Sequence, residues 1–260
     1  TQRFANRLQS SLFPPYRNWC RLIVGDTAKN EIEDTTELQK ALDVYTEKMF
    51  MTIRQTNFDL SMSEFLLDLA VGTACMLIQK NDSDDDAMIR FEAVPQYLVC
   101  FEEGPHGKVD NVYRKHRIRV DNIEHQWKDA KLSDSLINMI NSDPSEEVDL
   151  LEAVLYVPDT GKYCYHLIYK KDSGGKNISE EIVYRVMDNT PWIICRYSKV
   201  SGEIYGRGVL VQAISDIKTL NKTKELVLKN GALAISGIYL AKDDGVLNPQ
   251  NVQIKPGAII

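Results

Sequence analysis

The chain has 260 residues, 43% hydrophobic and 26% charged, enough to build one large domain or two smaller ones, and its formal net charge of -6 argues against a surface that grips nucleic acid tightly through its phosphates. The five cysteines, Cys20, Cys75, Cys100, Cys164 and Cys195, are scattered and lack C-x-x-C spacing, which points to reduced thiols made in a cytosol and away from a disulfide scaffold. No apolar run approaches the roughly 18 residues of a membrane span, and no signal peptide is expected.

In chain order, Gln2 to Leu12 reads as the end of a helix stopped by Pro14 and Pro15, with an extended piece from Arg21 to Val24. Asp34 and Glu37 have capping-box spacing, and Leu38, Leu42, Tyr45, Met49 and Ile53 then mark one face of a helix to about Gln55. A second box, Ser61 and Glu64, opens a Leu-rich helix from Met62 to Val71 that ends at Gly72. Strands follow at Ala74 to Gln79, Met88 to Val94, Tyr97 to Phe101, Asn111 to Ile118, Val148 to Val157, Tyr163 to Tyr169, Ile182 to Val186 and Trp192 to Val200, interrupted by helical turns at Asp121 to Lys128 and Ser133 to Asn141. Strands that neighbour strands define an α+β chain with a mostly antiparallel β region.

After the last strand, Gly202, Gly206 and Gly208 supply the backbone freedom for a sharp redirection. From Val209 to Asn230 there is no Pro or Gly, and Leu210, Ala213, Ile214, Ile217, Leu220, Val227 and Leu228 keep mostly to helical spacing. Gly231 is the expected stop, giving a rod roughly 33 Å long. Lys218, Lys222 and Lys229, with Lys224 about a turn away, form either a basic stripe opposite the apolar one or an ordinary solvated face balanced by Asp216 and Glu225.

Chemistry-bearing patterns are sparse. The acidic run Asp82 to Asp86 lacks the Gly and Glu positions of a calcium loop and reads as a solvated hairpin loop; Asp159-Thr160-Gly161 and Asp172 to Gly175 are ordinary turns. Gly206-x-Gly208 lacks the third glycine of a dinucleotide turn, since Val211 stands there, and no βαβ alternation surrounds it. There is no Walker loop, so the chain is not itself an ATP-driven motor. His106, His116, His125 and His166 are dispersed without metal-ligand intervals, and no nucleophile elbow occurs. Catalytic residues, metal ligands and cofactors are therefore not expected.

Two segments together resemble the head-to-tail connecting, or portal, proteins of short-tailed bacteriophages. One has Phe13, Pro14, Trp19 and Leu22 after a Leu-containing helix end; the other has Gly202, Glu203, Tyr205, Gly206 and Arg207 followed by Asp216, Ile217 and Leu220. They lie about 180 residues apart and come in the family's order. The resemblance implies a wing over residues 1–205, a stem helix with its Gly-rich lead-in turn over 206–235, and the start of a clip over 236–260. The second stem helix and crown would lie outside this chain, which is expected to be a fragment, lacking an initiating Met and ending in apolar Gly257 to Ile260.

The same resemblance implies a homo-oligomeric ring, a dodecamer, at the capsid vertex of the virion, assembled in the host cytoplasm. Double-stranded DNA would pass through its channel during packaging and ejection. Its partners would be the terminase large subunit, tail and adaptor proteins, the major capsid protein and scaffold, with no membrane involved. Within it the turn into the stem would be Gly202, Glu203, Tyr205, Gly206, Arg207 and Gly208, stem packing would fall to Ile214, Ile217 and Leu220, and Lys218, Lys222, Lys224 and Lys229 would be channel contacts. Two other readings compete: a metal-dependent DNA-processing enzyme of a phage using the Asp82 to Asp86 cluster, and a monomeric nucleic-acid-binding module using the lysines.

Overall fold

The computed structural model describes residues 1–26, 35–80, 88–105, 107–173 and 176–236. Asp34, the acidic run Asp82 to Asp86, His106, Gly174 and Gly175, and the expected clip beyond residue 236 lie outside the described residues. The chain divides into two compact units, Thr1–Val209 and Leu210–Ile260.

The first unit is α+β. Its helices are α1 (Gln2–Leu12), α2 (Thr36–Arg54), α3 (Phe58–Leu69), α4 (Asn122–Gln126) and α5 (Asp134–Ser142). Its strands are β1 (Thr73–Lys80), β2 (Ile89–Val94), β3 (Val99–Glu103), β4 (Val109–Arg119), β5 (Glu147–Val157), β6 (Lys162–Ser173), β7 (Lys176–Met187) and β8 (Trp192–Arg196). They form a three-stranded sheet in the order β2-β1-β8 and a five-stranded sheet in the order β3-β4-β5-β6-β7, with every pairing antiparallel.

Alternation along the strands decides which face is covered. On β5, Val148, Leu150, Glu152 and Val154 point inward, joined by Val112 of β4 and by Tyr163, Tyr165, Leu167 and Tyr169 of β6, under the lid made by Ile123, Trp127 and Leu136. A second core lies between α1, α3 and the small sheet, where Ala5, Phe58, Met62, Phe65, Leu66 and Leu69 meet Ala74, Met76 and Phe91. The two sheets are linked by charge. Arg114 on β4 reaches Glu92 on β2, and its other guanidinium nitrogen lies 3.6 Å from the fully buried Glu152.

Several elements depart from the sequence expectation for identifiable reasons. The helix expected from Met62 begins at Phe58, because Asn57 serves as its N-terminal flank and also acts like a strand neighbour, with its amide donating to Phe91 O (2.7 Å) and accepting from Phe91 N (3.0 Å). Ser61 is consequently inside the helix, with its hydroxyl also on Phe91 O. On α2 the buried residues are Thr46 and Phe50, not the expected stripe, and Leu38 and Tyr45 are exposed. The strap from Arg21 to Val24 occupies that flank instead: Leu22 N donates to Thr46 Oγ1, Gln39 bonds both Leu22 O and Val24 N, and Arg21 pairs with Asp43. Phe13 and Trp19 anchor the strap through edge and stacked ring contacts to Phe50 and Phe58.

Residues 96–98 form a short 3-10 turn, so β3 starts only at Val99. β8 stops at Arg196 instead of Val200, because Tyr197 N makes the last ladder bond to Gly72 O and the chain then folds back, with Arg207 N donating to Ser198 O. The expected single helix from Val209 is two pieces, α6 (Val209–Gln212) and α7 (Ile214–Ser236). Gly231 does not end it. An exposed glycine costs a helix about 1 kcal/mol, too little to outweigh the helix-forming Ala232, Leu233 and Ala234 that follow. All five cysteines are free, and burial pushes the Cys75 thiol up to about 12.

Candidate functional site

The turn that leads out of the sheet is built by three glycines at a seam between two main chains. A Cβ on Gly206 would sit 2.5 Å from Gly72 O, one on Gly72 would sit 2.1 Å from Gly206 O, and one on Gly208 would sit 2.2 Å from Ala70 O. None of these neighbours is a flexible side chain, so the seam closes only with glycine on both sides. Hydrogen bonds stitch it. Gly206 N donates to the buried Thr73 hydroxyl (2.9 Å), Gly208 N to Val71 O (2.9 Å), and Tyr197 N to Gly72 O (2.9 Å). Gly202 serves differently: its φ of +84° lies in the left-handed region that other residues enter at a cost.

Around the seam, Arg196 is a hub. Its guanidinium pairs with Glu103 of β3, donates to Ile204 O within the turn (3.2 Å) and to Gly107 O in the β3–β4 hairpin (3.0 Å); Lys199 joins Glu103 at 2.6 Å. Tyr205 stacks edge-on to Phe101 with centroids 4.7 Å apart, and burial raises its phenol. Glu203 and Arg207 form a two-pronged pair (2.9 and 2.5 Å) that holds the Glu203 carboxyl below its ordinary range. Of the residues singled out in the sequence, Gly202, Glu203, Tyr205, Gly206, Arg207 and Gly208 share this turn. Gly72, Thr73, Glu103 and Arg196 are partners that the sequence does not single out; its spacing marks Gly72 only as a helix stop.

In the second unit, α7 is exposed along nearly all of its length. Ile214 is 50% accessible, Ile217 40% and Leu220 67%. At about 100° per residue, Lys218, Lys222 and Lys229 fall within a sector of about 40°, with Glu225 about 20° beyond its edge. Lys224 lies about 140° away, amid Ile217, Leu220, Val227 and Ile235, so the helix does not gather all four lysines on one face. Glu225 accepts from Lys229 (2.6 Å) and Lys222 (3.0 Å), which hold its carboxyl down at about 2. Two of the three grouped lysines are thus partly neutralised, leaving Lys218 without an ion pair among the described residues.

Two other titratable groups, His116 and Glu152, serve the interior. His116 stacks on Trp127, and burial together with the Arg114 charge lowers it to about 4. Burial raises Glu152 against the opposing pull of Arg114. Among the described residues no group of three or more His, Cys, Asp or Glu is placed to hold a metal ion, and no helix is long and apolar enough to cross a membrane.

The family described as bacteriophage head to tail connecting protein matches residues 1–260. The chain is similar to the portal protein of Escherichia phage T7, 21% identical over 253 residues that cover 95% of this chain and 45% of that protein. It is similar to the same extent and over the same shares to the portal protein of Enterobacteria phage T3. The chain therefore spans less than half the length of these two relatives.

Proposed function

Since the chain belongs to the family of bacteriophage head-to-tail connecting proteins, we propose that it is the wing and first stem helix of a portal subunit, with residues 1–205 as wing, 206–235 as stem with its lead-in turn, and 236–260 as the start of the clip. Copies form a closed ring at the capsid vertex of the virion, a dodecamer, which conducts double-stranded DNA inward during packaging and outward during ejection. The ring docks the terminase large subunit and later tail proteins, sits against the capsid protein, and acts as architecture without catalysis.

The observation that carries this reading is the exposed helix of the second unit. A helix of 23 residues exposing Ile214, Ile217 and Leu220 lacks the burial that stabilises helices in water, and neighbouring copies around an axis supply it. The turn that precedes it in the chain is closed by glycine on both sides.

The acidic balance fits a conduit. Each phosphate neutralised adds nearly one unit to the salt slope of binding, so a wall with few free cations lets a duplex slide. The test is the size of the full-length protein by light scattering, with Ile214 and Ile217 both replaced by Asp. The double variant is expected to remain a subunit with the near-ultraviolet dichroism of a folded wing. A ring formed as well by the variant as by the parent would overturn the assignment.

A further inference from the structure

Two short segments of the first unit each present a main-chain edge without a hydrogen-bond partner among the described residues. On β8, the bonds Ile78 N to Pro191 O and Tyr197 N to Gly72 O show that odd-numbered residues face β1. Antiparallel pairing alternates, so the main-chain groups of Ile194 and Arg196 face the open edge of the small sheet, where no bond to them occurs among the described residues. Beside that edge lies a cavity of about 340 Å³ lined by Lys108, Val109, Val112, Trp192 and Ile194, with room for a branched aliphatic side chain.

The strap is the counterpart. Leu22 and Val24 spend their main-chain groups on Thr46 and Gln39 of α2, so with a period of two the N–H and C=O of Arg21 and Ile23 face outward. They too make no bond among the described residues, and the Ile23 side chain is 67% exposed. Among the described residues nothing brings the strap to β8, since its contacts there are with α2 and the aromatic cluster of Phe13, Trp19, Phe50 and Phe58.

We propose that the strap of one copy adds as a fourth strand to the small sheet of the next, with Ile23 and Ile194 exchanging both main-chain hydrogen bonds and the Ile23 side chain entering the cavity beside Ile194. This rests on the ring reading and deepens it by naming where neighbouring wings join. Strand addition matches an extended donor to an open edge through main-chain bonds and takes its specificity from a side-chain pocket. The contact joins two different patches, which is the head-to-tail kind that closes into a ring.

Amide hydrogen exchange on the full-length protein, as assembled ring and as dissociated subunit, reads the pairing directly. Assembly is expected to slow exchange at Ile23 and at Ile194 together, by at least tenfold each. Ile23→Pro removes an N–H that has no partner among the described residues, so it should leave subunit circular dichroism unchanged and lower ring yield at least tenfold, while Ile23→Val retains assembly. Ile194→Pro should act likewise; if it misfolds, the exchange data and Ile23→Pro decide. Protection at Ile194 without protection at Ile23 means that another segment fills the edge and overturns the pairing. A ring in which neither amide is protected overturns the pairing while leaving the ring intact, whereas a parent protein that never forms a ring overturns both.

Discussion

Replacing Gly206 with Ala places a methyl group 2.5 Å from Gly72 O and 2.9 Å from Arg196 Cβ. Carbon atoms rest at about 3.5 Å or more from such neighbours, so the two main chains must part by roughly 1 Å. The seam bonds, all 2.9 Å long, then stretch beyond useful range, and the buried Thr73 hydroxyl loses the Gly206 N–H. One or two lost bonds at about 1 kcal/mol each, with an overpacking cost of about 1–3 kcal/mol, bring the expected loss to about 3 kcal/mol. With a urea slope of about 2 kcal/mol per molar, the midpoint should fall by about 1.5 M. Tryptophan fluorescence is the suitable signal, because Trp19, Trp127 and Trp192 all report on the first unit. Gly208→Ala, whose methyl would meet Ala70 O at 2.2 Å, should cost at least as much. Gly231→Ala is the control. It meets nothing within 4 Å and should raise helix stability by about 0.5–1 kcal/mol, read by far-ultraviolet dichroism. A midpoint shift under about 0.3 M for both Gly206→Ala and Gly208→Ala would refute the steric account of the turn.

Two further outcomes are expected. Changing Lys218, Lys222 and Lys229 to Gln should leave the ring assembled and flatten the salt dependence of duplex binding by at most about three log units per log unit of salt, with Lys224→Gln alone giving no change; equal effects of Lys224 and Lys218 would dissolve the separate faces. His116, held near 4 when folded against an ordinary 6.5, binds its proton more readily in the unfolded chain, so its contribution is complete above about pH 6.5 and is lost as pH falls toward 4. The slope between those values should reach about 1.4 kcal/mol per pH unit at most and flatten in His116→Phe, measured by urea midpoints at several pH values; identical pH profiles for parent and variant would refute it.

The α+β class and the β-rich middle were legible because period-two patterning is local, as in Val148, Leu150 and Val154. The glycines of the turn stood out for the same reason. Their partners did not: Thr73, Glu103 and Arg196 sit in other strands, and only pairing brings them to the seam. Asn57 was missed as a helix flank because its amide is spent on Phe91, 34 residues away. The α2 stripe misled because the strap, held by Gln39, Asp43 and Thr46, competes for the same helix with hydrogen bonds that hydrophobic spacing does not register. Lys224 reads in the sequence as about a turn away from the other three lysines, yet two residues beyond Lys222 the helix carries its side chain to the far side.

The exposure of α7 also makes it a clock. A helix with few buried contacts opens locally at little cost, and in a subunit outside the ring each opening offers a trypsin-like protease the four lysines between residues 218 and 229. In the proposed ring, neighbours would shield the same bonds. Cleavage at those positions would then measure how long a subunit has waited for its partners, with the unassembled copies cut first.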